Sequence, residues 1–169
     1  MLKRQKGFTL VELLVVIAIV AILAGIVLIA INPAQLLMKA RDSQRLQDMD
    51  TIHKALGLAT ADAEITLTDT AGCVTCDSST GTQAVDGVNG YVKFTIPAGK
   101  VGLSKYLATL PVDPTNDAAT NFIYVYSATA AGAYEVNCVL ESADNVNKMT
   151  VDGGNDNAVF EIGTSLTII

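Results

Sequence analysis

The side chains able to do chemistry are few. Cys73-Val-Thr-Cys76 forms a CxxC pair, Cys138 stands alone, and His53 is the single histidine of 169 residues, with no tryptophan. A CxxC does redox work at a strand-to-helix junction, and it holds zinc when two further ligands complete the set. Neither context surrounds Cys73. In an exported domain oxidation is the expected fate. The most economical pairing is Cys73 with Cys76, leaving Cys138 as a buried thiol, while a bond from Cys138 to either loop cysteine stays open. His53 lies beside the polar face of a helix, where a solvated or rim position outweighs a ligand role. There is no P-loop, no GxSxG and no carboxylate pair in an acid/base setting. The sequence therefore points away from an enzyme, and no pattern in it requires a cofactor.

One more ionisable group is conspicuous by position. Glu12 interrupts an apolar run from Phe8 to Ile31, and the 19 residues from Leu13 to Ile31 carry no charge. As helix they extend roughly 28 Å, close to a hydrocarbon core of about 30 Å. A carboxylate at membrane depth costs about 2.5–3.5 kcal/mol near the bilayer centre. Glu12 either reaches the headgroup water from its place near the end of the run, or pairs with a cation from another chain. No Lys, Arg or His lies between Lys6 and Lys39 to serve within the segment. Lys3, Arg4 and Lys6 before the run favour a cytoplasmic N-terminus, yet Lys39, Arg41 and Arg45 follow it in similar number. The run exceeds an ordinary secretory h-region and lacks an A-x-A-like cleavage site, so the helix stays on the chain.

The elements that position these groups follow from periodicity. Asn32-Pro33 ends the apolar run with a kink or melted turn. An amphipathic helix resumes with Leu46, Met49, Ile52, Leu56, Ala59 and Ala63 on one stripe and Arg41, Asp42, Arg45, Asp48, Asp50 and Lys54 on a polar face, ending near Asp62 to Thr66. A long surface loop with one short strand occupies 66–90. Strand candidates are Tyr91 to Ile96, Phe122 to Tyr126, Ala133 to Glu141 and Ala158 to Ile162. In the third, Tyr134, Val136, Cys138 and Leu140 alternate with Glu135, Asn137 and Glu141, which predicts one buried and one wet face. Helix first and strands later favours α+β with an antiparallel sheet. The formal charge of −6 argues against direct nucleic-acid binding.

Lys6-Gly7-Phe8-Thr9-Leu10-Val11-Glu12 resembles the prepilin signature of type IV pilins and type II secretion pseudopilins, and Leu110-Pro-Val-Asp-Pro114 with the following Phe122 to Tyr126 resembles their LPxDP…YxY stretch. The resemblance implies cleavage after Gly7 by a membrane-embedded prepilin peptidase, N-methylation of Phe8, and Glu12 as fifth residue of the mature chain. It implies a pilin fold: leader 1–7, a membrane and assembly helix 8–31, an amphipathic helix 32–64, and a head 65–169 whose small antiparallel sheet packs on the helix. Leader removal takes the side-chain balance from −6 to −9 and creates an amine at Phe8, the cation that Glu12 of a staggered neighbour lacks. The implied partners are identical or homologous pilin subunits, the peptidase and an inner-membrane assembly platform. The implied location is a single-pass cytoplasmic membrane protein before assembly, and a pilus or periplasmic pseudopilus after it. Asp152-Gly-Gly-Asn-Asp156-Asn157 also resembles the calcium loop of major pseudopilins, although shorter, so that Asp152 and Asp156 are calcium candidates against a plain turn. A membrane-anchored extracellular binding domain that never polymerises is the reading from a different class.

Overall fold

A computed structural model describes residues 7–169; the leader residues 1–6, with Lys3, Arg4 and Lys6, lie outside the described residues. The chain divides into two compact units, Met1–Leu37 and Met38–Ile169.

In the first unit, α1 spans Leu10–Ile31. Its C-cap, Asn32, takes the left-handed conformation at φ 45°, which asparagine tolerates better than most residues. Pro33 then opens α2, Pro33–Ala61, at the first helical position, where a missing N–H costs nothing. The Asn32 carbonyl accepts from Gln35 N at 3.1 Å and Leu36 N at 3.4 Å. The break is thus a single non-helical residue.

In the second unit, Met49, Ile52, Ala55, Leu56 and Ala59 on α2 build the core.

 Leu46 packs half-buried beside them. Ala63, read above as the end of this stripe, is exposed and lies past the helix. It sits at φ 50°, with Ala63 N donating to Thr60 O at 3.0 Å and Glu64 N to Ala59 O at 2.8 Å, a Schellman stop with alanine where glycine is usual. Two antiparallel sheets follow. β1 (Thr66–Leu67) pairs with β2 (Phe94–Thr95), and β3 (Val125–Ala128), β4 (Tyr134–Cys138) and β5 (Phe160–Gly163) form a sheet in the order β3-β4-β5. The architecture is α+β with an apolar N-terminal helix. Tyr91, Tyr124, Tyr126 and Tyr134 are all buried, and each hydroxyl has a partner: Pro111 O, Asp48 Oδ2, Lys93 O and His53 O. Aromatic bulk thus fills the core without stranding a polar tip.

Two expectations about polar faces fail, for the same reason: side chains expected in water are covered by distant parts of the chain. Asp42 and Arg45 are both 0 % exposed. Arg45 donates Nε and Nη2 to Asp113 at 2.6 and 3.0 Å, Nη1 to Asp42 at 3.0 Å and to Glu141 at 2.7 Å, and Nη2 to Thr115 at 3.3 Å. Every guanidinium N–H is used, and the ring of Phe122 covers the group at 4.7 Å. Asp42 accepts from Glu141 N at 3.0 Å and Ser142 N at 2.8 Å. Likewise, Glu135 and Asn137 on β4 are buried rather than wet, because the chain's last residues cross that face and Ile168 N donates to Glu135.

The 66–90 segment is also more than a surface loop. Thr70 N donates to Ala128 O at 3.0 Å, Tyr126 N to Cys76 O at 2.8 Å and Ser78 N to Tyr124 O at 2.8 Å. The loop therefore covers the outer edge of β3, which would otherwise offer free backbone groups to another chain.

Asp113→Ala, which strands a buried guanidinium, is expected to destabilise the head by about 3–5 kcal/mol in urea unfolding. Ala63→Gly, which relieves a left-handed alanine, is expected to stabilise it by about 1 kcal/mol. Arg41, with Arg45, holds the Glu141 carboxyl below its ordinary value of 4.5. Its contribution is therefore complete above that value and is lost as pH falls through the depressed one, so the thermal midpoint should decline on acidification.

Candidate functional site

The N-terminal tip is built by local hydrogen bonds. Gly7 to Thr9 are not helical, and Thr9 is the extended N-cap of α1 at φ −82°, ψ 154°. Glu12 N donates to Thr9 Oγ1 at 3.2 Å, while Thr9 N and Thr9 Oγ1 donate to Glu12 Oε2 at 2.8 and 2.7 Å. This is a capping box, satisfying helix-end donors reciprocally. Glu12 thus lacks a cation within its own segment but does not lack a partner. The signal was available in the sequence as Thr9-x-x-Glu12. All the bonds converge on Oε2, which leaves Oε1 without a partner among the described residues.

The bond between Gly7 and Phe8 therefore lies in extended chain just ahead of the helix. Phe8 is 88 % exposed. A Cβ added at Gly7 would meet nothing within 4 Å among the described residues, so no contact among them demands glycine there. From Leu10 to Leu28, 19 residues, α1 is long and apolar enough to cross a membrane, and none of that window is buried by the chain itself. It has no polar face; Glu12 is its one charged side chain. Gly7, Phe8 and Glu12 thus lie together at the tip of a bare apolar rod.

Residues 2–28 match the prokaryotic N-terminal methylation motif. The chain carries the class III signal of type IV pilins and pseudopilins. The match covers the leader and most of α1, and it supports a type IV pilin or pseudopilin-like protein. No curated protein and no solved structure matches the chain.

The remaining candidates fall elsewhere. Cys73 and Cys76 are joined in a disulfide, and Cys138 is a buried free thiol. The CxxC lies in the loop along β3, away from any strand-to-helix junction. Burial pushes the Cys138 thiol up from its ordinary range, which suppresses the reactive thiolate. His53 is half-buried at the rim, with Nδ1 3.0 Å from the Tyr134 hydroxyl. Asp152 accepts from Gly154 N at 3.0 Å and Glu161 N at 2.9 Å, and Asp156 accepts from Ala158 N at 2.8 Å. Both carboxylates thereby order their own turn. Among the described residues no three His, Cys, Asp or Glu side chains converge on a metal position. What sequence reasoning missed nearby is the buried pair Glu135 and Glu161, on adjacent strands. Its only sequence signal was two acids inside strand patterns.

The thiol assignment has a direct consequence. Alkylation of the native, unreduced protein should label no cysteine, and alkylation after denaturation without reductant should label Cys138 alone, as read by intact and peptide mass.

Proposed function

We propose that this protein is the structural subunit of a type IV pilus or pilus-like fibre, cut after Gly7 by a prepilin peptidase, methylated at Phe8 and polymerised through α1. The observation that carries the reading is the methylation motif on a helix whose apolar surface its own chain leaves uncovered. Exposed apolar area of that extent is stable only in lipid or against other apolar surface. The same helix meets both conditions in turn, in the membrane before assembly and among neighbouring helices afterwards. Ala18, Ala21, Ala24 and Gly25 allow close approach between helices.

Processing changes the electrostatics at one point. Loss of the leader removes Lys3, Arg4 and Lys6, takes the side-chain balance to −9 and leaves an amine at Phe8. The capping box survives the cut, because Thr9 keeps its amide N–H. Oε1 of Glu12 then accepts the amine of a staggered neighbour in a water-poor fibre interior, where either charge alone is costly. The pair sets subunit register. Before assembly the chain is a single-pass membrane protein with its N-terminus in the cytoplasm. The partners are copies of the subunit or its homologues, the peptidase and the assembly platform. A type II secretion pseudopilin is the second reading; the acidic, glycine-rich turn at 152–157 is the observation that favours it.

Glu12→Val tests the reading. Membrane levels of the variant should equal or exceed wild type, while its share of sheared fibres falls by about tenfold or more, as expected once a contact worth about 1.4 kcal/mol is lost. Wild-type fibre yield from Glu12→Val would remove the pairing.

A further inference from the structure

A fibre built from one kind of head must bring bodies of like charge together. Met38 to Ile169 carry 8 Lys and Arg against 16 Asp and Glu, so the heads repel one another unless opposite charges are set face to face. Few cations are free to do so. Six of the eight form ion pairs within the head, and Lys93 Nζ donates to Val88 O at 2.7 Å. Lys148 is the exception: it is exposed, and its ammonium has no hydrogen bond or ion pair among the described residues. It stands on the short 3₁₀ helix Val146–Thr150, which packs against β5. Met149 beside it is buried and accepts from Leu140 N on its sulfur at 3.3 Å, which fixes that helix to the core. Val146 and Val151 are exposed, so the cation is flanked along the chain by apolar side chains.

The acids that could receive it are few as well. Asp77, Asp86, Asp117 and Asp152 each have both carboxylate oxygens occupied by N–H or O–H donors of their own loops. Asp69 is exposed and accepts on Oδ1 alone, from Ala71 N at 2.9 Å. Asp156 likewise uses one oxygen, for Ala158 N. What sets Asp69 apart is the hollow beside it, about 490 Å³, between the 69–77 loop, β3 and the C-terminal segment. Half-buried Ile123, Val125 and Ile168 supply apolar wall, and the charged lining residues, Asp69 and Asp77, are both acidic. A lysine suits such a place, its methylene stem against the wall and its ammonium at the carboxylate.

We infer that Lys148 of one subunit enters the hollow beside Asp69 of a neighbouring copy and pairs with that carboxylate. The inference rests on the fibre reading above and adds a contact between heads to the one between α1 helices. The two patches belong to different parts of the head: β3 walls the hollow, Lys148 stands against β5, and β4 separates those strands. Contact between unlike patches of identical subunits is heterologous, and it continues as an open helical array when the rotation does not close. That is the symmetry a fibre needs. An ion pair in a half-open hollow adds modest strength; its larger effect is to select the neighbour and its orientation, because a wrong docking sets acid against acid.

The test is charge exchange, read as the yield of sheared fibres relative to the amount of subunit in the membrane. Lys148→Glu and Asp69→Lys should each lower the yield by about tenfold, since each sets like charges face to face, with membrane levels unchanged. The double variant, Lys148→Glu with Asp69→Lys, should return to within about twofold of wild type, because the pair is restored with its ends reversed. A second measurement needs no variant: a carbodiimide, which joins an amine to a carboxylate in direct contact, should convert wild-type fibres to covalent dimers on a denaturing gel, and their digest should contain Lys148 linked to Asp69. A double variant as poor as the single ones, or dimers in which Lys148 is linked to another acid such as Asp156, would overturn the head contact while leaving the fibre reading in place. Absence of fibres from the wild-type chain would overturn both.

Discussion

A helix with apolar side chains on every face and no cover from its own chain is the constraint on which the rest depends. From Leu10 to Leu28 nothing in the chain buries α1, so the hydrophobic effect leaves it two stable surroundings, lipid or other helices. Glu12 gives this otherwise undirected surface one point of reference. Its capping box with Thr9 ties up one carboxylate oxygen and leaves the other without a partner among the described residues. Asn32 and Pro33 end this regime. Beyond them the chain has an amphipathic helix, a tyrosine-rich core and a covered outer edge on β3.

The head is organised around charge as much as around apolar packing. Arg45 reaches from α2 to Asp113 in the segment after β2 and to Glu141 after β4, linking parts of the chain that the core alone would hold less specifically. Buried ion pairs contribute little net stability when replaced wholesale by apolar residues, but breaking one half is costly. Such a cluster therefore disfavours alternative packings of α2 on the sheet. The Leu110 to Pro114 segment gains a physical role from it: Leu110 is buried in the core, Pro111 receives the Tyr91 hydroxyl, and Asp113 receives Arg45.

Elements with a strong local period were legible in the sequence. The apolar run, the break at Asn32-Pro33, the stripe from Met49 to Ala59 and the three strands of the larger sheet were all within a few residues of where they lie, since each is decided by neighbours along the chain. Interactions between distant residues were not. Asp42 and Arg45 read as solvated because a polar residue opposite an apolar stripe ordinarily is; their burial depends on Asp113 and Glu141, about 70 and 100 positions away. Glu135 and Asn137 read as a wet face because alternation reports only one layer, whereas the C-terminal residues add a second. At the tip, Glu12 stood out in the sequence as a lone acid in an apolar run, whereas Thr9 was overlooked although its spacing to Glu12 is the ordinary capping pattern.

The central claim is that proteolysis creates the cation that Glu12 receives. Intact and peptide mass spectrometry of the protein from membranes and from sheared surface fibres tests it most directly. A mature chain that begins at Phe8 and carries one added methyl group on its amine is the predicted result. Fibres composed of chains that still begin at Met1 would contradict it.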